Sequence, residues 1–248
     1  MPIQRLVVVS DAHLGEVPRS VEDALLDFLE EVPSLGDGLL INGDLFGFWF
    51  AYRRALPRAG FRVAARLIEL ARRLPVLMTG GNHDRWGDRF WDLETEIRFA
   101  PGEIRLALGS GTAVAIHGDQ VGGGPPGYRL KNWLIQSRLA SLVFRALPAE
   151  LGFRIADGLA RPDHSGSAAR REAATAARQR AWAEARLRDE PGVSLLVMSH
   201  SHRPVALQVR SGQRYLNPGA WFDGYHYALA TDRTHELRQF RGSPPRLP

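Results

Sequence analysis

Five short motifs carry most of the chemistry this chain could perform: Asp11-Ala-His13, Gly43-Asp44, Gly81-Asn82-His83-Asp84, His117-Gly-Asp119 and His200-Ser-His202. Any one histidine at the end of an apolar run is more often a satisfied structural residue than a ligand. Five such motifs in order, each after an apolar run, supply carboxylate, amide and imidazole donors in a combination that chance rarely assembles. The chain contains no cysteine, which excludes disulfides and thiolate ligands. A metal must therefore be held by His, Asp, Glu or Asn.

The runs that precede the motifs are Leu6 to Val9, Gly38 to Ile41, Val76 to Thr79, Ala113 to Ile116 and Leu195 to Met198, which read as buried strands. Helical periodicity over Val21 to Glu31 and Arg62 to Arg73 gives the alternation of an α/β sheet. Every motif then falls at a strand carboxyl end, the edge where ligands bind in open α/β sheets. Later runs, Val205 to Arg210, Gln213 to Leu216, Tyr225 to Ala230 and His235 to Phe240, are separated by turn signals and predict an antiparallel meander forming a second sheet. The Ala, Arg and Leu-rich stretch from Tyr128 to Asp189 predicts helices, and residues 122–192 are expected to form a cap inserted in a single 1–248 domain. Its entrance, Gly122-Gly-Gly-Pro-Pro-Gly127, lacks the Gly-Lys-Ser/Thr ending of a phosphate-binding loop and reads as a hinge or connector.

Composition sets the outer bounds. A length of 248 residues suits one domain, and 44% hydrophobic with 24% charged residues is ordinary soluble usage. No run approaches the roughly 18 apolar residues of a membrane span, and the N-terminus lacks the succession of a secretory signal. A cytoplasmic location is expected. The net charge of +5 comes from arginine used almost to the exclusion of lysine, and does not by itself indicate a specific nucleic-acid partner. Between Tyr128 and Glu190, eleven Arg and one Lys face seven acids, so the basic excess is concentrated in the expected cap.

The five motifs together resemble those of the calcineurin-like metallophosphoesterase superfamily, over the chain from the first strand to at least His202. That resemblance implies a four-layer αββα sandwich of two mixed β-sheets flanked by helices, with an inserted helical cap. It also implies two divalent ions, one on Asp11, His13, Asp44 and His202, the other on Asp44, Asn82, His117 and His200, with Asp44 bridging. Mixed imidazole and carboxylate ligands favour Mn²⁺, with Fe or Zn²⁺ also fitting, over the all-oxygen preference of Mg²⁺ and Ca²⁺. Two metals about 3.5–4 Å apart activate a water and clamp the phosphoryl oxygens. By the same resemblance His83 acts on the leaving-group or phosphoryl oxygen, and Asp84 orients His83. Where the family commonly has Gly-His-Thr-His this chain has Ser199-His-Ser-His, and Ser199 is expected to tighten the turn beside His200.

Secondary features are similar to the UDP-2,3-diacylglucosamine diphosphatase branch of that superfamily, which acts on a lipid-linked nucleotide sugar of lipid A synthesis at the inner membrane face. They are the aromatic run Leu45-Phe-Gly-Phe-Trp-Phe-Ala-Tyr52, Tyr128 at the start of the cap, and Asn217-Pro-Gly-Ala-Trp221. Phe48, Trp49, Tyr128, Arg161 and Arg170 become substrate candidates, although part of the aromatic run could equally pack core. The cap could be a lid making peripheral contact with an anionic membrane, or an ordinary amphipathic elaboration. Many members of the branch have Arg where this chain has His83, a position at which His is the general superfamily pattern. A pyrophosphatase releasing UMP, a general phosphodiesterase or nucleotidase, and a non-catalytic scaffold are the three functional readings that follow.

Overall fold

Each of the five apolar runs forms a strand in the computed structural model, which describes residues 2–52, 54–86, 88–121, 142–144, 146–152, 154 and 168–242. In chain order the strands are β1 (Leu6–Val9), β2 (Gly38–Asn42), β3 (Val76–Thr79), β4 (Arg98–Ala100), β5 (Ile104–Leu108), β6 (Gly111–Ala115), β7 (Val193–Val197), β8 (Val205–Arg210), β9 (Gln213–Asn217), β10 (His226–Ala230) and β11 (His235–Gln239). The helices used below are α1 (Arg19–Leu35), α2 (Phe61–Ala71), α3 (Asp88–Glu94) and α4 (Ala168–Asp189).

Two mixed sheets result. One has the order β11-β10-β1-β2-β3-β4 and the other β5-β6-β7-β9-β8. Strands β1 to β4 run parallel, as do β6, β7 and β9. Period-two alternation sends Leu6 and Val8 into the layer between the sheets, with Leu40, Leu106, Leu195 and Leu216, while Val7 and Val9 face α1 and α2. Both faces of the parallel strands are thus buried, which is why their sequences read as continuous apolar runs. Helix α1 answers with Val21, Leu25, Phe28, Leu29 and Val32, the i, i+4, i+7, i+8, i+11 positions of one face. On the far side Ala183 and Leu187 of α4 pack against Val114, Leu196 and Tyr215, completing the order helix, sheet, sheet, helix. Each fully buried Leu or Val contributes about 1.5–3 kcal/mol.

The four C-terminal strands are not one meander. The β8–β9 hairpin joins the second sheet beside β7, whereas β10 and β11 cross over to pair with β1 in the first. The segment between them is held by the site's own loops, Trp221 N donating to the Ser10 carbonyl at 2.9 Å and Phe222 N to that of Asp11 at 3.2 Å. Of the expected cap, residues 122–141, 145, 153 and 155–167 lie outside the described residues; within it, 142–144 and 149–152 are helical, as is α4. Among the described residues no helix is long and apolar enough to cross a membrane.

Candidate metal centre

Where β1, β2, β6 and β7 end, the chain turns sharply, and the turns gather the motifs. Asp11, His13, Asp44, His200 and His202 all have left-handed backbones, with φ between 48° and 66°; Tyr225 is the sixth such non-glycine residue described. Asp and His are among the residues that tolerate this region best. Close approach also needs two glycines. A Cβ on Gly81 would lie 2.0 Å from Asp44 Oδ1, and one on Gly43 would lie 2.4 Å from His117 Nδ1. Backbone bonds then lock neighbouring loops, Ala12 N to the Asp44 carbonyl at 2.9 Å and Ser199 N to that of His117 at 2.8 Å.

Three groups of side chains could each hold an ion. Asp11, His13 and His202 present ligand atoms within 4.8 Å of one another, and so do Asp44, His117 and His200; the third group is His13, Glu16 and His83, which shares His13 with the first. The first two clusters abut, since Asp44 Oδ2 lies 3.0 Å from His117 Nε2 and 4.0 Å from His13 Nε2, while Asp11 Oδ1 lies 3.4 Å from His202 Nε2. Among the described residues, Asp11 Oδ1, His13 Nε2, Asn82 Oδ1 and His117 Nε2 are buried without a hydrogen bond; the 3.0 Å approach of His117 to Asp44 is a charge contact outside hydrogen-bond geometry. An unsatisfied buried polar atom costs about 1–3 kcal/mol. Four of them, drawn from three strand ends and all of metal-ligating type, fit residues that bind a cation.

The outer nitrogen of each of three imidazoles is engaged, which leaves Nε2 to face inward. His117 Nδ1 donates to the Asn42 carbonyl at 2.9 Å. His202 Nδ1 meets Glu172 Oε1 at 3.3 Å, and His13 Nδ1 lies 3.6 Å from Glu16 Oε2. Burial would lower the His117 pKa, but the Asp44 carboxylate raises it to about 10. Burial and the neighbouring His117 charge push His200 down to about 4. Asp44, although its burial opposes ionisation, is held well below the carboxylate range by His117 and His83. A cation bound at His117 Nε2 would take the place of a proton there, so its binding is coupled to proton release.

His83 stands beside the clusters. Its backbone N donates to Asp44 Oδ1 at 2.9 Å and its Nδ1 to the Gly47 carbonyl at 2.7 Å, leaving Nε2 for other work. Burial opposes its charge, yet Asp44 and Glu16 raise the pKa to about 10. Asp84 does not orient this ring. Its carboxylate accepts from the backbone N–H groups of Gly81 and Leu45 at 2.8 Å, Asp44 at 3.3 Å and Phe46 at 3.4 Å, so it fixes the Asp44 loop, while Gly47 and Glu16 face His83. Ser199 goes beyond tightening a turn, because its Oγ accepts from Asn42 Nδ2 at 2.7 Å and so ties the second sheet to the first.

The substrate candidates divide. Trp49 is 0% exposed and packs with Phe46 and Trp91, ring centroids 4.2 and 5.1 Å away, so it stands in the core. The aromatic character of the run had two possible causes, and for this ring packing wins. Phe48 is half-buried and faces Trp86 and Phe144, at 6.0 and 5.8 Å, the latter in the expected cap. Arg170 is exposed at the start of α4, whereas Tyr128 and Arg161 lie outside the described residues. Sequence reasoning missed Glu16, Asn42, Glu172 and Gln179. Only Gln179 left a signal, an amide in line with Ala183 and Leu187 on the buried face of an alanine-rich helix.

Paired sheets whose strand ends converge on carboxylates and inward-facing imidazoles define a metallohydrolase class. The chain belongs to the calcineurin-like phosphoesterase family, whose model matches residues 4–204, and it is accordingly a metal-dependent phosphoester hydrolase. It is 26% identical over 220 residues to a UDP-2,3-diacylglucosamine hydrolase of Shewanella piezotolerans, covering 88% of this chain and 91% of that protein. A protein of the same name from Porphyromonas gingivalis is 24% identical over 244 residues, covering 91% and 93%. Among solved structures it is similar to a dimetal phosphatase from Danio rerio, with a TM-score of 0.49, 13% identity, and 97% and 100% of the two chains covered.

Proposed function

We propose that the chain is a dinuclear hydrolase of a pyrophosphate bond, acting on an acylated UDP-sugar and releasing UMP. The observation that carries the dinuclear part is the abutment of two clusters, Asp11, His13, His202 and Asp44, His117, His200, in which Asp11, His13 and His117 keep buried atoms without a hydrogen bond. Asp11, His13, Asp44 and His202 would hold one ion and Asp44, Asn82, His117 and His200 the other, with Mn²⁺ the favoured metal. When bound, the ions supply Lewis acidity and an activated water at neutral pH. Asp44, whose Oδ2 faces His13 of one cluster and His117 of the other, would be the ligand the two ions share. His83 holds a proton on Nε2, its Nδ1 being fixed by Gly47, and gives it to the leaving oxygen. Asp84 acts indirectly, by holding the loop that carries Asp44.

The substrate part is supported by relatives whose names specify UDP-2,3-diacylglucosamine and by the aromatic face of Phe48, Trp86 and Phe144 beside the centre. Residues 122–192 would serve as the cap over the acyl chains and as the peripheral contact with the inner membrane face. One observation favours the second reading, a general phosphodiesterase or nucleotidase: His83 is the ordinary superfamily residue where many branch members carry Arg.

The deciding experiment loads the protein with Mn²⁺ and compares acylated UDP-sugar, bis-p-nitrophenyl phosphate and nucleotides in detergent. UMP and an acylated sugar phosphate as products, with kcat/KM highest on the lipid substrate, support the proposal. Preference for the plain diester or nucleotide replaces it with the second reading. Removing the whole cap is not a suitable control, because Ala183 and Leu187 of α4 are buried against the second sheet.

A further inference from the structure

Helix α4 carries two polar side chains that reach the histidine loops. Gln179 is completely buried. Its Nε2 donates to the Ser199 carbonyl at 2.8 Å and to the Gly118 carbonyl at 3.3 Å. Ser199 precedes His200 and Gly118 follows His117, so one amide group holds both loops of the inner cluster. Room for that amide depends on glycine, since a Cβ on Gly118 would lie 2.5 Å from Gln179 Nε2. Two turns earlier on the same face, Glu172 Oε1 lies 3.3 Å from His202 Nδ1. Residues 172, 175, 176, 179, 183 and 187 make a stripe along the helix that deepens toward Leu187.

Ordinary packing does not require these groups. Burying an amide costs free energy unless it is bonded, and an apolar residue would extend the Ala183 and Leu187 stripe more favourably. The remaining role is alignment. Hydrogen bonds to the outer nitrogen of a ligating histidine fix its ring and tautomer and strengthen it as a donor. We propose that Gln179 and Glu172 are positioning residues through which α4 sets the ligand geometry of His117, His200 and His202. Glu172 governs the Asp11, His13 and His202 cluster alone, and Gln179 governs the inner one. The proposal rests on the dinuclear reading above.

Its test is Mn²⁺ binding, followed by the electron paramagnetic resonance signal of free Mn²⁺, on the full chain and on Glu172→Ala, Glu172→Gln and Gln179→Met. The unsubstituted protein should take up two ions. Glu172→Ala should weaken one of them about 10–100-fold and leave the other unchanged, while Glu172→Gln, which keeps an acceptor oxygen, should recover most of the loss. Gln179→Met preserves volume but cannot donate, and should weaken the second ion by a similar factor. A merely structural role would lower the melting temperature of the metal-free variants without moving either affinity. Wild-type Mn²⁺ affinity in Glu172→Ala overturns the role of Glu172, and in Gln179→Met that of Gln179. Failure of the unsubstituted protein to bind two ions overturns instead the dinuclear reading beneath both.

Discussion

The two ligand clusters share one cleft and differ in what stands behind them. Behind Asp44, His117 and His200 is the protein interior: His117 is 2% exposed, and its outer nitrogen rests on the carbonyl of Asn42, itself bonded to Thr79 and Ser199. Behind Asp11, His13 and His202 stand two partly exposed carboxylates, Glu16 and Glu172. A carbonyl at a buried strand end cannot turn away without local unfolding, whereas a glutamate can rotate. One half of the centre is therefore set by the fold, and the other by side chains that respond to their surroundings.

Asp44 is the residue the halves have in common, so its loss should erase the contrast. Asp44→Ala should lower hydrolysis by more than about 10³-fold, beyond what a single electrostatic donor is worth, and reduce occupancy of both ions. Elemental analysis finding two ions per chain with normal turnover would refute the shared-ligand assignment. Next in size is His83→Ala, which should cost about 10²–10⁴-fold in kcat with both ions retained. The loss should be smaller with p-nitrophenolate as leaving group; an equal loss on activated and unactivated esters would rule out leaving-group protonation.

A milder substitution tests the interior side. Asn42→Ala removes the donor to Ser199 and the acceptor of Thr79, and should destabilise the fold by about 1–3 kcal/mol, read from urea unfolding of the chelated protein. Glu16→Ala, on the responsive side, should change that stability far less; equal losses would cancel the distinction. The smallest effect is on pH. His83 and His117 have folded-state pKa values raised from 6.5 to about 10. Their contribution to the metal-free fold is thus complete below about pH 6.5 and is lost as pH rises through about 10. The melting temperature of the chelated protein should fall across that window, and that of the loaded protein should fall less, since binding an ion already displaces the His117 proton. A chelated protein whose melting temperature rises over the same range would contradict the assignment.

Much of this was legible in the sequence because of where the residues lie. Strands buried on both faces, such as β1 with Leu6 to Val9, give unbroken apolar runs, and the polar residues that follow mark the functional edge. Pairing partners were less legible. The turn signals at Ser211-Gly212 and Asp232-Arg233 correctly mark two hairpins, but nothing local says that the chain between Asn217 and His226 changes sheets. Strand β4, only three residues long, carries too little pattern to stand out. Trp49 misleads because an aromatic ring beside a ligand looks alike in sequence whether it faces the cleft or the core. Glu16 and Glu172 have no signature, since the spacing that brings a carboxylate to an imidazole nitrogen is tertiary.

The left-handed turns at Asp11, His13, Asp44, His200 and His202 have a consequence for how such a centre can change. A bulkier or β-branched residue placed there incurs about 1–2 kcal/mol of backbone strain before any ligand chemistry begins. Aspartate, asparagine and histidine are the non-glycine residues that escape most of that penalty. The backbone of these loops thus admits a short alphabet, and the letters it admits are hard and borderline metal donors. Exchanging Asp for Asn or His at one of the five positions stays within that alphabet, while Glu or Val falls outside it. Evolution of a new metal preference on this scaffold is channelled toward permutations of the same three side chains.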